Sequence, residues 1–222
     1  MSKFVITFIV PLKEYSCELE QTLRSLAWQT EILSYRHLEQ TVVGQFSDPA
    51  LGRRWRQGIQ RTSFTYLLLD PGVTCNLPER SAKLPQPQVW ATFLASIFYV
   101  GKGKRARPFA HLYQAASVRG GATTKADKKV KRILKIWNCG LGVVCLHVFQ
   151  NIIPAEAFTR EAAMLDALGL ANLCNTRGGE YYGVAATWSA RQKKQLGIYF
   201  LYRAMMVFLN EGERQLRPAD IP

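Results

Sequence analysis

Residues 102–135 hold eleven basic side chains and one acidic one, Asp127, a local charge of +10 in a chain whose formal total is +13. A solvated face normally mixes signs, so a run of one sign calls for a polyanionic partner or a solubility role. Nucleic acid is the favoured partner, because each neutralised phosphate releases counterions and adds affinity independent of sequence. A solubilising charged helix is the plainer alternative. Lys102, Lys104, Arg105 and Arg107 open the run, and Lys125, Lys128, Lys129, Lys131, Arg132 and Lys135 close it. Arg191, Lys193 and Lys194 make a second basic group. Reactive side chains lie around this charge: Tyr66, Tyr99, His111 four residues beyond Arg107, Glu161, and the amide of Asn175. Taken singly, each has an ordinary reading. The tyrosines pass for core residues with hydroxyls at the surface, and Lys102 and Arg107 for a phosphate grip without chemistry. His111 passes for a half-buried helix residue and Glu161 for a surface carboxylate.

The elements that must carry these groups follow from the hydrophobic pattern. Residues 64–69 read as a buried strand stopped by Asp70-Pro71-Gly72. Residues 96–100 read as a second strand, ended by Gly101-Lys102-Gly103, and 141–149 as a third. Pro78, Pro85 and Pro87 make 73–88 a loop leading into a short helix near 89–95. Pro108 suits the first turn of a helix that carries His111 and Tyr113. Gly120-Gly121 and Thr123-Thr124 mark a hinge before a basic helix, 125–137, with an apolar stripe of Val130, Ile133, Leu134 and Trp137. Residues 154–168 read as an amphipathic helix with Gly169 near its end, and 187–210 as a closing, mostly apolar helix. Ahead of the strands, 18–27 and 34–43 read as helices, and Asp48 caps a third through Trp55. Three strands separated by helices point to an α+β fold, with a helical extension over 1–60 and one domain over 61–222.

Composition narrows the class. With 222 residues, 11% aromatic and 20% charged, the chain is long and apolar enough for a core and is not disordered. The apolar runs 4–12 and 196–209 fall short of the roughly 20 residues that a membrane span needs, and Arg203 interrupts the second. Residues 4–10 fit a secretory signal poorly. Five cysteines, odd in number and without a C-x-x-C pair, predict reduced thiols in an intracellular protein, cytoplasmic or nuclear, with no membrane partner. Three scattered histidines argue against structural zinc.

Together and in order, the residues resemble a known family. Thr65-Tyr66-Leu67 on one strand and Tyr99-Val100-Gly101 on the next resemble the paired signatures of the GIY-YIG nuclease superfamily. Lys102, Arg107, His111, Glu161 and Asn175 follow in the expected order. The runs from Phe64 to Pro71 and from Ile97 to Gly103, with Arg54-Trp55-Arg56-Gln57-Gly58 before them, are closer still to the ankyrin-repeat and LEM-domain-containing endonuclease branch. The likeness covers about residues 45–185. It departs from the superfamily at Phe64, which stands where the first signature has glycine. It departs again in the 33 residues between Tyr66 and Tyr99, which make 71–95 an apparent insertion. No ankyrin repeat or LEM module is recognisable in the sequence.

The resemblance implies a small antiparallel three-stranded sheet flanked by helices, and a DNA endonuclease that depends on a divalent metal. Phosphodiester hydrolysis needs an activated water, a charge clamp on the phosphate and help for the leaving oxygen. Tyr99 is then the general base, its phenol pKa lowered from near 10 by Lys102, Arg107 and the metal. Tyr66 bonds the water or phosphate, and Arg107 stabilises the transition state through bidentate contacts. His111 positions water or protonates the leaving group, and Asn175 orients phosphate or the metal shell. A lone Glu161 suits one Mg²⁺ or Mn²⁺ held mainly by water and phosphate. The branch implies cutting of branched or flapped DNA, leaving 5′-phosphate and 3′-hydroxyl ends. The remaining basic residues would grip the backbone away from the cut. The rival readings are a nucleic-acid-binding module without catalysis and an RNA endonuclease.

Overall fold

The computed structural model describes residues 13–221, and the apolar run at 4–12, with its signal-like segment, lies outside them. In chain order the helices are α1 (Cys17–Arg24), α2 (Trp28–Ser34), α3 (Arg36–Phe46), α4 (Pro71–Thr74), α5 (Leu77–Arg80), α6 (Gln86–Ser96), α7 (Phe109–Arg119), α8 (Lys128–Asn138), α9 (Pro154–Leu168) and α10 (Ala190–Glu211). The strands are β1 (Ser63–Leu69), β2 (Ile97–Lys104), β3 (Val143–Ile152) and β4 (Gln215–Leu216). They form one antiparallel sheet in the order β2-β1-β3-β4. The sheet has four strands rather than three. β4 is two residues long, too short to leave a periodic signal.

Both faces of the sheet are covered, which explains why the central strand β1 is apolar along its length instead of alternating. Leu67 and Leu69 enter the larger core, shared with α9, α10, α6 and the N-terminal helices through residues such as Leu19, Ile32, Trp90, Phe93 and Phe200. Tyr66 and Leu68 enter a smaller core under α7 and α8, with Leu112, Val130, Ile133 and Trp137. Residues 13–46 therefore share the main core rather than standing apart from it.

The expected loop at 73–88 is largely helical. Asp70 caps α4 through the Gly72 amide at 2.9 Å, Pro71 fits its first turn, and α5 follows. Pro85 and Pro87 begin α6 rather than preventing it, and α6 buries Trp90, Phe93 and Leu94. Asp127, the single acid of the basic run, is the cap of α8: its Oδ1 accepts from the Val130 amide at 2.8 Å. Asp48 caps a 3-10 turn over Pro49–Arg54 rather than a full α-helix.

α9 departs most from its sequence reading. Its polar residues suggest an exposed face, yet only Asp166 is exposed and Phe158 half-buried. The helix is enclosed between the sheet and α10, and its charges are met inside. Arg160 pairs with Glu156 at 2.7 Å and with Glu39 of α3 at 2.9 Å, and Glu39 also pairs with Arg203 of α10.

Candidate active site

β2 runs on through Lys104, past the two glycines that sequence alone reads as its end. They mark close packing instead. Gly101 lies opposite Tyr66 in the β1–β2 pairing, and a Cβ on it would stand 2.3 Å from the Tyr66 ring. Gly103 lies under the Arg107 side chain, where a Cβ would come within 2.5 Å. The glycines thus let a tyrosine and an arginine lie flat across the edge strand.

Tyr66 uses that space to reach His111, and its hydroxyl lies 2.7 Å from His111 Nε2. Tyr99 completes a triangle, its ring centroid 5.1 Å from that of His111 and 6.1 Å from that of Tyr66. His111 is buried, and its pKa is lowered to about 3 by that burial and then by the Lys129 and Arg107 charges. It is a neutral imidazole at physiological pH. Burial, with Tyr99 nearby, raises the Tyr66 pKa. The Tyr99 pKa is also raised, by burial first and then by the Glu161 carboxylate, with Arg107 opposing. The expected lowering by the basic cluster does not occur in the protein alone, because desolvation and a neighbouring carboxylate outweigh one guanidinium. Both phenols carry their protons.

Lys102 lies on the α9 side of β2. Its Nζ pairs with Glu161 Oε2 and sits 4.0 Å above the Phe158 ring, and Arg56 stands 5.1 Å from the same ring. Burial raises the Glu161 pKa, against the pull of Lys102. Its other oxygen, Oε1, accepts no hydrogen bond among the described residues. Lys102, Lys104 and Arg107 line a cleft of about 310 Å³ with Gln57, Pro154 and Phe158. Arg107 is exposed and precedes α7, in a turn where its amide donates to the Lys104 carbonyl at 3.2 Å. It is not one helical turn before His111 on the same helix, as the spacing suggests.

Asn175 borders this group without facing into it. Its Oδ1 accepts from the Val100 amide at 3.1 Å and its Nδ2 donates to the Val100 carbonyl at 2.8 Å. The amide therefore fixes the backbone beside Tyr99, and its reach toward a phosphate is limited by those two bonds.

The structure thus gathers Tyr66, Tyr99, Lys102, Arg107, His111 and Glu161 around the β2 edge, with Asn175 behind. It does not gather the basic residues on one surface. Lys129 is buried, its Nζ 5.0 Å from the Tyr99 ring and 3.5 Å from Asp127, because α8 turns that position inward. Lys104, Arg105, Lys125, Lys131 and Lys135 are exposed. Lys128 donates to the Leu173 carbonyl at 2.6 Å, and Arg132 pairs with Asp70 at 2.6 Å. Arg191 is exposed, but Lys193 donates to the Ala186 carbonyl and Lys194 lies 3.3 Å from Glu18. α8 and α10 lie on opposite sides of the sheet. Arg56 and Phe158 were missed as site residues. Arg56 lies in a motif that carries the family likeness, but nothing in the spacing pairs it with a residue 102 positions later.

The described residues contain no group of three or more histidine, cysteine, aspartate or glutamate side chains placed to hold a metal. Among the described residues, Glu161 has an oxygen without a hydrogen bond, and so does the exposed Glu180 beside it, whose Oε2 alone takes the bonds from Arg56 and Tyr182. The five cysteines are free thiols, and no described helix is long and apolar enough to cross a membrane.

Comparison with known proteins agrees with this geometry. The LEM-3-like GIY-YIG domain family matches residues 63–222. The chain is 48% identical over 186 residues to human Ankyrin repeat and LEM domain-containing protein 1, covering 82% of this chain and 30% of that protein. It is 50% identical over 169 residues to the mouse protein of that name, covering 76% and 32%. It is 30% identical over 210 residues to the Caenorhabditis elegans homolog, covering 93% and 28%. The chain spans about a third of the length of these relatives, and no solved structure matches it. On residues 63–222 and these identities, the chain belongs to the LEM-3-like GIY-YIG domain family.

Proposed function

We propose that the chain is a divalent-metal-dependent DNA endonuclease that hydrolyses phosphodiester bonds in branched or flapped DNA. Family membership supports the nuclease role. The observation that carries the finer reading is the meeting of Tyr99, Arg107 and the Lys102–Glu161 pair at one edge strand. That edge carries a phenol, a phosphate clamp and the Glu161 carboxylate within one electrostatic neighbourhood.

Arg107 and Lys102 bind the phosphate, the guanidinium through paired donors. Glu161 would hold one Mg²⁺ or Mn²⁺, since a carboxylate with a free oxygen and few protein co-ligands fits a cation that keeps most of its water. When bound, that ion supplies electrostatic stabilisation of the phosphate charge. Tyr99 first loses its own proton to bulk water, and the phenolate then accepts the proton of the attacking water. Tyr66 is held by His111 and keeps the Tyr99 ring in place. The neutral imidazole keeps a third positive charge out of a pocket already flanked by Lys129 and Arg107. Lys131 and Lys135 contact nucleic-acid backbone away from the cut.

The test is cleavage of a labelled four-way junction, a flap, a linear duplex and an RNA duplex, each with and without Mg²⁺. Metal-dependent cutting of the junction or flap in preference to the linear duplex is expected. Binding without cleavage of any substrate would refute the enzyme, and preference for RNA would refute the substrate. Tyr99→Phe should abolish cutting and leave binding intact. Because the Tyr99 phenol is protonated at neutral pH, the wild-type rate should rise with pH, about tenfold per unit below the phenol pKa. A flat profile from neutral to alkaline pH would remove Tyr99 as the base.

A further inference from the structure

A second concavity, distinct from the cleft at Lys102 and Arg107, lies between α6, α8 and the segment 171–174. Its volume is about 1000 Å³. Six cations line it: Lys13, Arg80, Lys128, Lys131, Arg132 and Lys135; no acidic residue is among the lining set. Three of them are held in place by neutral carbonyls. Lys13 donates to the Ile97 carbonyl at 2.7 Å, Lys128 to that of Leu173 at 2.6 Å, and Arg80 to that of Thr74 at 3.3 Å. A carbonyl fixes a cation without cancelling its charge, so these groups are ordered and left positive. Arg132 pairs with Asp70, yet its Nε is buried with no hydrogen-bond partner among the described residues. A buried donor without an acceptor costs free energy, and here it lies in the wall of a cationic groove. The crowding is felt in the titration of Lys13, whose pKa falls to about 8 through burial and the nearby Arg132 charge. The floor is apolar, made by Ala91, Ala95 and Leu173.

We infer that this groove binds a single strand of nucleic acid, with phosphates on the Lys131–Lys135 and Lys13–Arg80 walls and base faces against the apolar floor. Six spread cations exceed what one phosphate needs. An apolar floor between charged walls gives unpaired bases a surface out of water while the cations follow the backbone. The volume is at the upper end of small-ligand pockets and seats a few nucleotides rather than a duplex. The inference rests on the reading of the chain as a nucleic-acid enzyme. It assigns the groove the unpaired arm of a substrate cut at the other site.

The test is fluorescence anisotropy of a labelled oligothymidylate with the full chain, over a salt series. Lys131→Glu/Lys135→Glu should weaken binding at least tenfold and lower the log–log salt slope by about 1.4, since each phosphate contact on a single strand contributes about 0.7. Ala91→Glu, on the α6 side of the floor and exposed, should weaken binding by a similar factor. It guards against a fold defect in α8, and thermal melting checks both variants. Unchanged affinity and slope in both would overturn the inference. So would equal binding of a duplex of the same length, or binding of phosphatidylserine–phosphatidylcholine vesicles in place of the oligonucleotide. Parallel cleavage assays separate the two readings. A chain that cuts nothing but shows the variant-sensitive binding keeps the groove and loses the nuclease. A chain that cuts, with oligothymidylate affinity indifferent to both variants, keeps the nuclease and loses the groove.

Discussion

Two neighbouring residues on α9, Arg160 and Glu161, are both buried charges, yet their surroundings differ in kind. Arg160 is 5% exposed and bonds Glu156 twice and Glu39 once, while Glu39 takes a further bond from Arg203. Every charge in that network has a partner, and the guanidinium also lies over the rings of Phe149 and Phe200 at 4.4 and 4.5 Å. Glu161, one position on, has a single lysine and an oxygen left free. Its pKa is raised, whereas a closed network would favour the ionised form. The first arrangement ties α3, α9 and α10 together. The second is incomplete as it stands, which fits the proposed role of Glu161 in holding a cation. Burial of charge on its own says nothing of function; the count of partners does.

Substitutions at the two positions should separate chemistry from stability. Glu161→Gln should lower the cleavage rate by about 10³-fold or more, as removal of an electrostatic group does at a reacting phosphate, with little change in melting temperature. A nearly active variant would return Glu161 to the class of Arg160. Glu39→Ala should do the reverse. It leaves the Arg160 charge short of a partner and costs about 3–5 kcal/mol of folding stability, read by urea denaturation, while folded molecules still cut.

Gly101→Ala lies between these extremes. The added methyl meets the Tyr66 ring, so about 1–3 kcal/mol of stability should go together with much of the cleavage. A crystal structure of the variant with Tyr66 unmoved would contradict that packing argument. The last effect is confined to acid. His111 titrates near 3 when folded and near 6.5 when unfolded, so the unfolded chain binds more protons between those values. The stability this contributes is whole above pH 6.5 and drains away as pH falls toward 3. His111→Gln should flatten that part of the stability–pH curve; an unaltered slope would mean that His111 is not held neutral.

Much of this was legible from the chain because local chemistry and fold agree. Ser63–Leu69 reads as a strand, and Pro154–Leu168 as a helix, to the residue or nearly so. Asp127 has the type and place of a helix cap, although beside so many lysines it reads first as an opposing charge. The glycines of β2 misled because a residue that ends a strand and one that lets a ring cross it look the same in sequence. α9 misled because the partners of its charges come from α3 and α10, far along the chain. The order of Tyr66, Tyr99, Lys102, Arg107, His111 and Glu161 carried the site. Their ionisation did not follow, since desolvation depends on what is packed around a phenol. The basic run read as one surface, but α8 divides its residues between an inward face and a groove wall, as Lys129 and Lys135 show, while Lys125 ahead of it is open to solvent.

The bonds from Asn175 to Val100 have one more consequence. β2 is the last strand on its side of the sheet, and an outermost strand with open amides and carbonyls is a template on which another chain can grow. Asn175 occupies both groups of Val100, and the Cys174 amide takes the Phe98 carbonyl at 2.7 Å. One short segment thus blocks strand-to-strand association along the rim proposed to take substrate. A protein whose working edge is a bare β-strand would otherwise risk polymerising through it.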